Sequence, residues 1–584
     1  MGCPMGFYQG FTIARFPAES LCITKAFEQT RRRLPRIPFD KSSETSHMNR
    51  KISRRDFNLS CTAAGLGASS LGAAVGFQPR FAHANWDTIA KQPFGIMSGE
   101  VTDESAVIWG RCDTAARMVV QWDTDSNFKN PRSVLGPEAN LLSDYTARCI
   151  LRGLPSGSKI HYQVTFENSA GTSDPQAGQL TTPDDGTQDV FFAWSGDTAG
   201  QGFGINLEWG GMKIYSAIEK LAPDFFVHSG DMIYADNPIQ PELTLQDGSI
   251  WKNITTDAKS KPAASLDDFR GNYLYNLLDQ NVLAFHRSVP LIASWDDHET
   301  TNNWYPQQRL RSRKDRDNYD ALEFARQLAD RARQAFFEYT PLLPQASGQR
   351  RIYRKLSRGP LLDLFVLDLR SYRGPNSPNK QSELNSQSAI LGSEQLAWLK
   401  HSLRTSTATW KVLCSDMPLA ISVGDSMEGK NLFEAVANAD PGAPLGRELE
   451  MADLLGFMKQ AQITNTVWLT ADVHYAAAHY YDPKRAAIPE SFLPFWEFVA
   501  GPLHSGSFGP NALDGTFGPE VKFLFAPPPG SKLPLAPSDA RQSFGTVRVD
   551  AKSKRLTVEL RGLSGDVLDG GSFTLEPQKN PATS

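Results

Sequence analysis

The chain has 584 residues, of which 40% are hydrophobic and 21% are charged. This composition excludes a disordered chain, a collagen-like repeat and a membrane protein with many spans, and the length allows about two to four domains. Residues 1–84 carry 12 basic and 5 acidic side chains, which leaves 48 basic against 59 acidic ones over residues 85–584. An acidic body lacks the positive surface of a nucleic-acid-binding protein, so no nucleic-acid role is expected.

Residues 1–47 contain three consecutive arginines, several prolines and no clear periodicity. We therefore expect them to be an over-extended N-terminus, with Met48 as the true initiator.

A basic start followed by a weakly apolar run characterises residues 48–84. Ser53-Arg-Arg-Asp-Phe57 precedes a stretch rich in Gly and Ala, and Ala82-His-Ala84 follows it. This order predicts a cleaved signal of the twin-arginine type, recognition by the twin-arginine translocase and a periplasmic or secreted location. An ordinary N-terminal helix with a basic start is the alternative. Glycines and serines weaken the apolar run as a bilayer span, so we expect no stable membrane anchor.

Three of the six cysteines, Cys112, Cys149 and Cys414, lie beyond the predicted cleavage site. Three thiols cannot form a disulfide framework. Cys112 and Cys149 both end strand-like runs of one segment, and two interpretations stay open: a disulfide in an exported protein, or two buried free thiols.

From Phe94 to about Thr182, short apolar runs are separated by Gly, Pro, Asp and Ser. This spacing predicts a small antiparallel β-sandwich, which we assign to residues 85–185. The stretch 154–162 resembles the turn into a late strand of fibronectin type III domains. Nothing in this region indicates chemistry, so we interpret it as a packing or positioning module.

After a linker at 181–186, the pattern changes to apolar strands that end in carboxylates or histidines. The segments with this shape are 191–197, 224–234, 290–299 and 467–474. Helical periodicity is found at 318–339, 394–403 and 448–460, and the alternating runs 546–550 and 555–561 predict an antiparallel hairpin that extends a sheet. Residues 186–584 are therefore predicted to form a central sheet system with flanking helices and with ligands at the strand ends.

The four strand ends together indicate a metal centre. A single exposed Asp after a strand is common turn chemistry, but oxygen and imidazole ligands from distant parts of a chain suit hard or borderline metal ions. Two adjacent ions clamp a phosphoryl oxygen and generate hydroxide near neutral pH. The run from Gly230 to Tyr234 places a phenol three residues after Asp231, a candidate bridging ligand, and tyrosinate favours a ferric ion.

These residues resemble the calcineurin-like metallophosphoesterase superfamily and, within it, the alkaline phosphatase D (PhoD-like) family of exported phosphatases and phosphodiesterases. The resemblance covers roughly residues 93–575 and also rests on the segments 295–299, 365–373 and 495–503. It implies an α+β protein with a four-layer metallophosphoesterase fold, in which a β-sandwich core is flanked by helices. A small all-β domain of immunoglobulin or fibronectin type would precede this catalytic domain.

The resemblance also implies roles for individual residues. Asp197 would bind the first metal, Asp231 would bridge, Tyr234 would be the ferric ligand, Asp297 would replace the superfamily's Asn at the second metal, and Asp472 and His474 would complete the shell. The metals implied are ferric iron (Fe3+) and calcium (Ca2+). Members of the family often have Cys where Asp197 stands, and a hard carboxylate there favours other metals.

His298 and Asp231 are the expected catalytic residues. By resemblance, His298 acts as a proton donor or as a charge partner for the transferring phosphoryl group. Asp296 and Glu299 either hold His298 in one tautomer or cap the loop.

Other neighbours of the predicted centre have weaker assignments. Arg370, after Asp368, either binds phosphate or forms a structural ion pair. The remaining candidates are His228 as a packed histidine, Asn302 and Asn303 as amide ligands, and His479 and His504 as unassigned polar residues.

The predicted reaction is hydrolysis of a phosphate monoester or diester by in-line attack of metal-activated hydroxide. Within this phosphoric ester hydrolase class, the alternative is a phospholipase D-like or wall-polymer phosphodiesterase, with loops at 240–266 and 376–390 selecting the ester. From another class, the alternative is a non-catalytic exported module that binds an anionic ligand and whose metal site is structural.

Overall fold

Two β-sheets of nine and seven strands, packed face to face, form the centre of the structure. The structure is a computed structural model that describes residues 88–578, apart from 320, 344 and 346. The predicted N-terminal extension (1–47) and export signal (48–84) lie outside the described residues. No helix in the described part of the chain has both the length and the apolar character needed to cross a lipid bilayer.

The N-terminal region is all-β, as its regular turn spacing predicts. Its strands are β1 (Ile96–Gly99), β2 (Ser105–Arg111), β3 (Ala116–Asp123), β4 (Arg132–Ala139), β5 (Thr146–Arg152), β6 (Lys159–Asn168), β7 (Gly171–Thr172) and β8 (Gln176–Thr181). Strands β3, β4, β6, β7 and β8 form an antiparallel sheet, and a buried core that includes Ile108, Met118 and Val164 joins it to β2 and β5. Strands β1, β2 and β5 also end the nine-stranded sheet, so backbone hydrogen bonds connect this region to the rest of the chain.

The remaining elements alternate between strands and helices. They are β9 (Val190–Ser195), α1 (Lys213–Lys220), β10 (Phe225–His228), β11 (Glu242–Thr244), β12 (Ile250–Lys252), α2 (Leu266–Asn276), α3 (Gln280–Ser288), β13 (Leu291–Ala293), α4 (Ala325–Tyr339), β14 (Arg354–Arg358), β15 (Leu362–Val366), α5 (Gly392–Thr405), β16 (Trp410–Cys414), β17 (Gly424–Asp425), β18 (Leu432–Phe433), α6 (Glu448–Gln460), β19 (Thr466–Thr470), β20 (Ala476–Tyr481), β21 (Phe495–Val499), β22 (Pro519–Phe525), β23 (Ser543–Val549), β24 (Leu556–Gly562) and β25 (Val567–Leu575). Short 3-10 turns lie at Leu141–Ser143, Asp257–Lys259, Leu310–Ser312, Arg316–Tyr319 and Pro537–Asp539.

The layers follow from which face of each sheet is apolar. The nine-stranded sheet has the order β25-β24-β23-β9-β10-β13-β1-β2-β5, and the seven-stranded sheet has the order β14-β15-β16-β19-β21-β20-β22. Phe192 and Val227 of the first sheet meet Val412 and Leu469 of the second in one buried core. Helices α1 to α4 cover the outer face of the first sheet, and α5 and α6 cover that of the second. The predicted α+β, four-layer architecture is confirmed.

The helices agree with the periodic segments except at one boundary. Helix α6 matches the predicted segment, and α5 extends it slightly at both ends. Helix α4 begins at Ala325 rather than at 318, because the side chain of Gln327 accepts the backbone N–H groups of Glu323 and Phe324 and caps the helix there. The predicted C-terminal hairpin is β23–β24, which extends the first sheet by pairing with β9.

Cys112, Cys149 and Cys414 are buried free thiols. Of the two interpretations of Cys112 and Cys149, the structure supports free thiols. Burial raises the pKa of Cys149 to about 11, which keeps that thiol protonated and unreactive.

Candidate active site

The candidate site lies where both central sheets present the carboxyl ends of their parallel strands. Strands β9, β10 and β13 are parallel neighbours in the first sheet, and β19 lies among parallel strands of the second. Asp197, Asp231 and Asp297 follow the first three strands within two to four residues, and Asp472 follows β19 by two. Because the sheets face each other, these loops converge on one point.

The six predicted metal-binding residues are brought together there. Asp197, Asp231 and His474 present ligand atoms that all lie within 4.8 Å of one another, and two further sets meet the same limit: Asp231 with Asp297 and His298, and Asp296 with Asp297 and Asp472. The Tyr234 hydroxyl lies 3.0 Å from His474 Nε2 and 3.4 Å from Asp197 Oδ1. The three sets share members, so the residues form one continuous cluster, called the metal-ligand cluster below.

Four residues of this cluster have left-handed backbone conformations. The φ angles are +70° at Asp197, +53° at Asp231, +66° at Asp472 and +64° at His474. Such conformations are uncommon for residues other than glycine, and they concentrate at functional sites, where the surrounding fold holds the strain. Each one turns the chain sharply at a strand end, so the side chain points into the cluster.

Burial and charge in the cluster fit a cation. Asp197 is 1% exposed, and its Oδ2 has no hydrogen-bond partner among the residues that the structure describes. Burial raises the pKa of Asp197 to about 8 and raises the pKa values of Asp231 and Asp472 well above their ordinary range. Ionised carboxylates crowded into a dry site need a positive counter-charge. Carboxylate, phenol and imidazole donors together suit hard or borderline metal ions, so the residues present fit the implied metals.

The imidazole of His474 is held in one tautomer. Its Nδ1 lies 2.6 Å from the carbonyl oxygen of Gly506, which can only accept, so Nδ1–H is the donor. Nε2 therefore keeps its lone pair and faces Tyr234 and Asp197. Burial lowers the pKa of His474 to about 4, which keeps the ring neutral, as metal ligation requires.

His298 pairs with a carboxylate that the motifs did not single out. Its Nδ1 lies 2.6 Å from Oδ1 of Asp236, and its backbone N–H donates to Asp231 Oδ1 at 3.1 Å. Burial by itself lowers the pKa of His298, but Asp236, Asp297 and Asp231 together raise it well above the ordinary value. The imidazole therefore carries a positive charge beside the cluster.

Asp296 and Glu299 do not hold the ring of His298. Glu299 is fully buried and accepts backbone N–H groups from Asp231, Met232 and Asp296, at 3.1, 2.6 and 2.8 Å. It thus ties together the two loops that carry Asp231 and Asp297. Of the two interpretations, loop capping describes Glu299, whereas Asp296 forms an ion pair.

Arg370 is the centre of a buried ion-pair network. Its Nε lies 2.5 Å from Asp296 and 3.5 Å from Asp416, its Nη1 contacts Glu434, and its Nη2 lies 3.5 Å from Asp472. The residue is fully buried, and its partners are all carboxylates of the protein. The structure therefore supports the structural ion pair rather than a phosphate contact. Through Asp472, this network reaches the metal-ligand cluster.

Most of the weaker candidates have hydrogen bonds to groups outside the metal-ligand cluster, and the exception is Asn303, whose backbone N–H donates to Asp297. His228 is buried, and its Nε2 lies 3.1 Å from the Thr198 hydroxyl. Burial lowers its pKa to about 3, as expected of a packed neutral histidine. The other candidates are joined to different groups: Asn302 N–H to Asp236, Asn303 N–H to Asp297, His479 to Glu497, and His504 to the Gly204 carbonyl.

Sequence reasoning missed three carboxylates that matter here: Asp236, Asp416 and Glu434. Asp236 had only a weak signal in the sequence, because it lies two residues after Tyr234, just beyond the segment 224–234. Asp416 lies just after β16, another parallel strand of the second sheet, so the strand-end pattern also applied to it. Glu434 follows the short strand β18 and has no comparable signal.

Family models match most of the described chain. A model described as "PhoD-like phosphatase" matches residues 192–560, and one described as "PhoD-like phosphatase, N-terminal domain" matches residues 82–184. The chain belongs to the PhoD-like phosphatase family. The matched ranges correspond to the catalytic sheets and to the all-β N-terminal region.

Two relatives of this PhoD-like protein show how far the similarity extends. Alkaline phosphatase D of Bacillus subtilis (strain 168) is 29% identical over 315 residues, which are 52% of this chain and 50% of the relative. The chain thus spans about half the length of this curated relative. The solved structure of PhoD is similar with a TM-score of 0.61 and 19% identity, and the match covers 86% of this chain and 94% of that one. This structural likeness shows a shared fold.

Proposed function

We propose that the protein is an exported, metal-dependent phosphoric ester hydrolase, an alkaline phosphatase or phosphodiesterase. The observation that carries this proposal is the metal-ligand cluster, in which a buried oxygen of Asp197 has no hydrogen-bond partner within the described part of the chain. Membership of the PhoD-like phosphatase family supports the same reaction class. The twin-arginine pattern at residues 48–84 supports export, since that route carries folded proteins that have already bound their metals.

The proposed ligands divide into two sets. Asp197, Tyr234 and His474 would hold ferric iron, because a phenolate favours that ion. Asp297 and Asp472 would hold calcium, which takes oxygen ligands, and Asp231 would bridge both ions. Metal ions bound here would neutralise phosphoryl oxygens and supply a nucleophile at neutral pH.

The chain's own residues have separate tasks in this proposal. His298, charged and held by Asp236, lies next to the cluster and would donate a proton to the leaving oxygen or stabilise the charge of the transferring phosphoryl group. Burial alone would raise the pKa of Asp297, but the positive charges of His298 and Arg370 lower it by more. The net pKa is below the ordinary value, so Asp297 remains ionised. Arg370 thereby helps to keep the negative charge on which the cation site depends.

The test is elemental analysis of purified protein, together with hydrolysis of p-nitrophenyl phosphate and bis-p-nitrophenyl phosphate before and after chelation. Asp231→Asn should lose metal and activity together, whereas His298→Ala should keep most of the metal and lose rate by about 100-fold. Asp317→Asn, whose side chain is 95% exposed, is the matched control and should behave as wild type. A protein that binds no metal and stays inert after metals are supplied would refute the proposal.

A further inference from the structure

A buried lysine contacts the loop that carries Tyr234 and Asp236. Lys259 ends the 3-10 turn Asp257–Lys259 and is 2% exposed. Its Nζ donates to the main-chain carbonyl of Tyr234 at 2.8 Å and to that of Asn237 at 3.5 Å. The lysine lies 25 residues after Tyr234 in the chain, so the fold and not the local sequence brings the two together. The proposed reaction gives this lysine no task.

The burial of Lys259 is unusual for its residue type. Lysine is almost never fully buried unless an opposite charge pairs with it, and a buried ammonium has a free-energy cost that its hydrogen bonds must offset. Both carbonyls that accept from Lys259 are neutral, so they bind the ammonium without cancelling its charge. Burial lowers the pKa of Lys259, and the negative charge of Asp236 opposes that shift. A cation kept at this cost favours a role in fixing the loop.

Main-chain hydrogen bonds join the segment around Lys259 to the same loop. The N–H of Ile239 donates to the carbonyl of Lys259, and the N–H of Ala263 donates to the carbonyl of Ala235, both at 2.8 Å. The N–H of Ala235 in turn donates to the carbonyl of His298 at 2.9 Å. These bonds fix the backbone from which the lysine side chain extends, so its Nζ meets the loop from a fixed base.

We propose that Lys259 is a positioning residue that holds the Tyr234 phenol where it binds metal. This inference rests on the proposed function, because it takes Tyr234 as a metal ligand. Lys259 Nζ bridges carbonyls three residues apart, so a shift of the chain between them, which includes Asp236, would leave a buried charge without its acceptors. The phenol belongs to the residue whose carbonyl is held, and it lies 3.0 Å from His474 Nε2. Loss of the ammonium would therefore let the phenol move and lower the affinity for metal.

The test measures how firmly the protein holds its metal, independently of turnover. Protein purified with its metal is dialysed against graded EDTA, and the metal that remains is determined by elemental analysis. Lys259→Met nearly keeps the side-chain length and removes the charge, and it should lose half of its metal at about tenfold less EDTA than wild type. Lys259→Gln should shift this point only about threefold, because a neutral donor forms a hydrogen bond about half as strong. The Gln variant replaces the Met variant if the latter does not fold.

A double variant separates positioning from a general loss of stability. Tyr234→Phe removes the phenol oxygen, so Lys259 has nothing left to position if it acts through that oxygen. Lys259→Met combined with Tyr234→Phe should therefore hold metal within about twofold of Tyr234→Phe alone. A purely structural lysine would instead give independent effects that multiply, with a further loss of about tenfold in the double variant.

The control is Lys252→Met, since the side chain of Lys252 is 52% exposed and pairs with Glu208 at the surface. It should hold metal as wild type does. Wild-type metal retention by the Lys259 variants, or effects that multiply in the double variant, would overturn the inference while the proposed function stands. A wild-type protein that binds no metal, as purified or after metals are supplied, would overturn the proposed function and this inference with it.

Discussion

The Nδ1 atom of His298 lies 2.6 Å from Oδ1 of Asp236, and this contact decides which ring nitrogen faces the metal-ligand cluster. Because the carboxylate accepts the Nδ1 proton, Nε2 is left for the reacting groups. Asp236 is fixed in turn by the backbone N–H of Asn302, which donates to its Oδ2 at 2.6 Å. Asp236 is therefore a positioning residue that also sustains the positive charge of His298.

We expect Asp236→Asn to lower kcat by about 10- to 100-fold and to leave metal content unchanged. Burial lowers the pKa of His298, and Asp236 makes the largest contribution that raises it. Without that carboxylate the imidazole loses its proton at lower pH, so the basic limb of the pH–rate profile should move to lower pH. Profiles of kcat against pH, with metal analysis of the same samples, check this. An unchanged basic limb in the Asn variant would contradict the assignment of His298 as the proton donor.

A second prediction concerns stability without metal. The pKa of Asp197 is about 8 in the folded protein, against an ordinary value of 3.8. Between these values the unfolded chain has released a proton that the folded chain still holds, so stability falls as pH rises from about 4 to 8. The loss should be on the order of a few kcal/mol. Thermal unfolding of chelated protein across this range should show a falling midpoint, and Asp197→Asn should reduce the size of this fall. A midpoint that rises with pH in the chelated wild type would contradict this account.

Loss of the Arg370 guanidinium should lower the free energy of unfolding substantially. Arg370→Met would leave Asp296, Asp416 and Glu434 buried without their shared counter-charge, and breaking such a buried network costs about 3–5 kcal/mol. Urea unfolding of the chelated protein should show this loss. Arg316→Met, at a side chain that is 64% exposed, should change stability by less than about 0.5 kcal/mol. Equal stability of the two variants would mean that the buried carboxylates are protonated and need no cation.

The candidate metal-binding residues at the strand ends could be predicted from the sequence, because each one lies within a few positions of an apolar run. That local pattern placed Asp197, Asp231, Asp297 and Asp472 correctly at the ends of parallel strands. Convergence of two facing sheets then brought them together. The alternating pattern predicts only a central sheet system with ligands at the strand ends, whereas the two-sheet core was implied by the family resemblance. The partner of His298 was harder to predict, because Asp236 reaches it only through the path of a loop.

Helices α1, α2 and α3 were not predicted from the sequence. Their apolar residues are buried against the first sheet, but the helices have only 8, 11 and 9 residues, so each offers few helical turns over which a period can be recognised. One of them carried a local signal: Ser265 and Asp268 form a capping box at the start of α2. Whether Cys112 and Cys149 form a disulfide depends on how their side chains are placed in the sandwich, and the spacing of cysteines in a sequence does not give that placement.

The last prediction tests the cation site through a glycine that contacts it. A Cβ added at Gly501 would lie 2.5 Å from Asp197 Oδ2, the oxygen that has no hydrogen-bond partner among residues with a described placement. Gly501→Ala should therefore displace this carboxylate and lower metal content severalfold, as measured by elemental analysis after dialysis. Gly153→Ala is the matched control, because its φ of +66° imposes backbone strain while no atom of the described residues lies within 4 Å of the added methyl. It should lose about 1–2 kcal/mol of stability and keep its metal. If Gly501→Ala also keeps its metal, Asp197 Oδ2 does not face the bound ion.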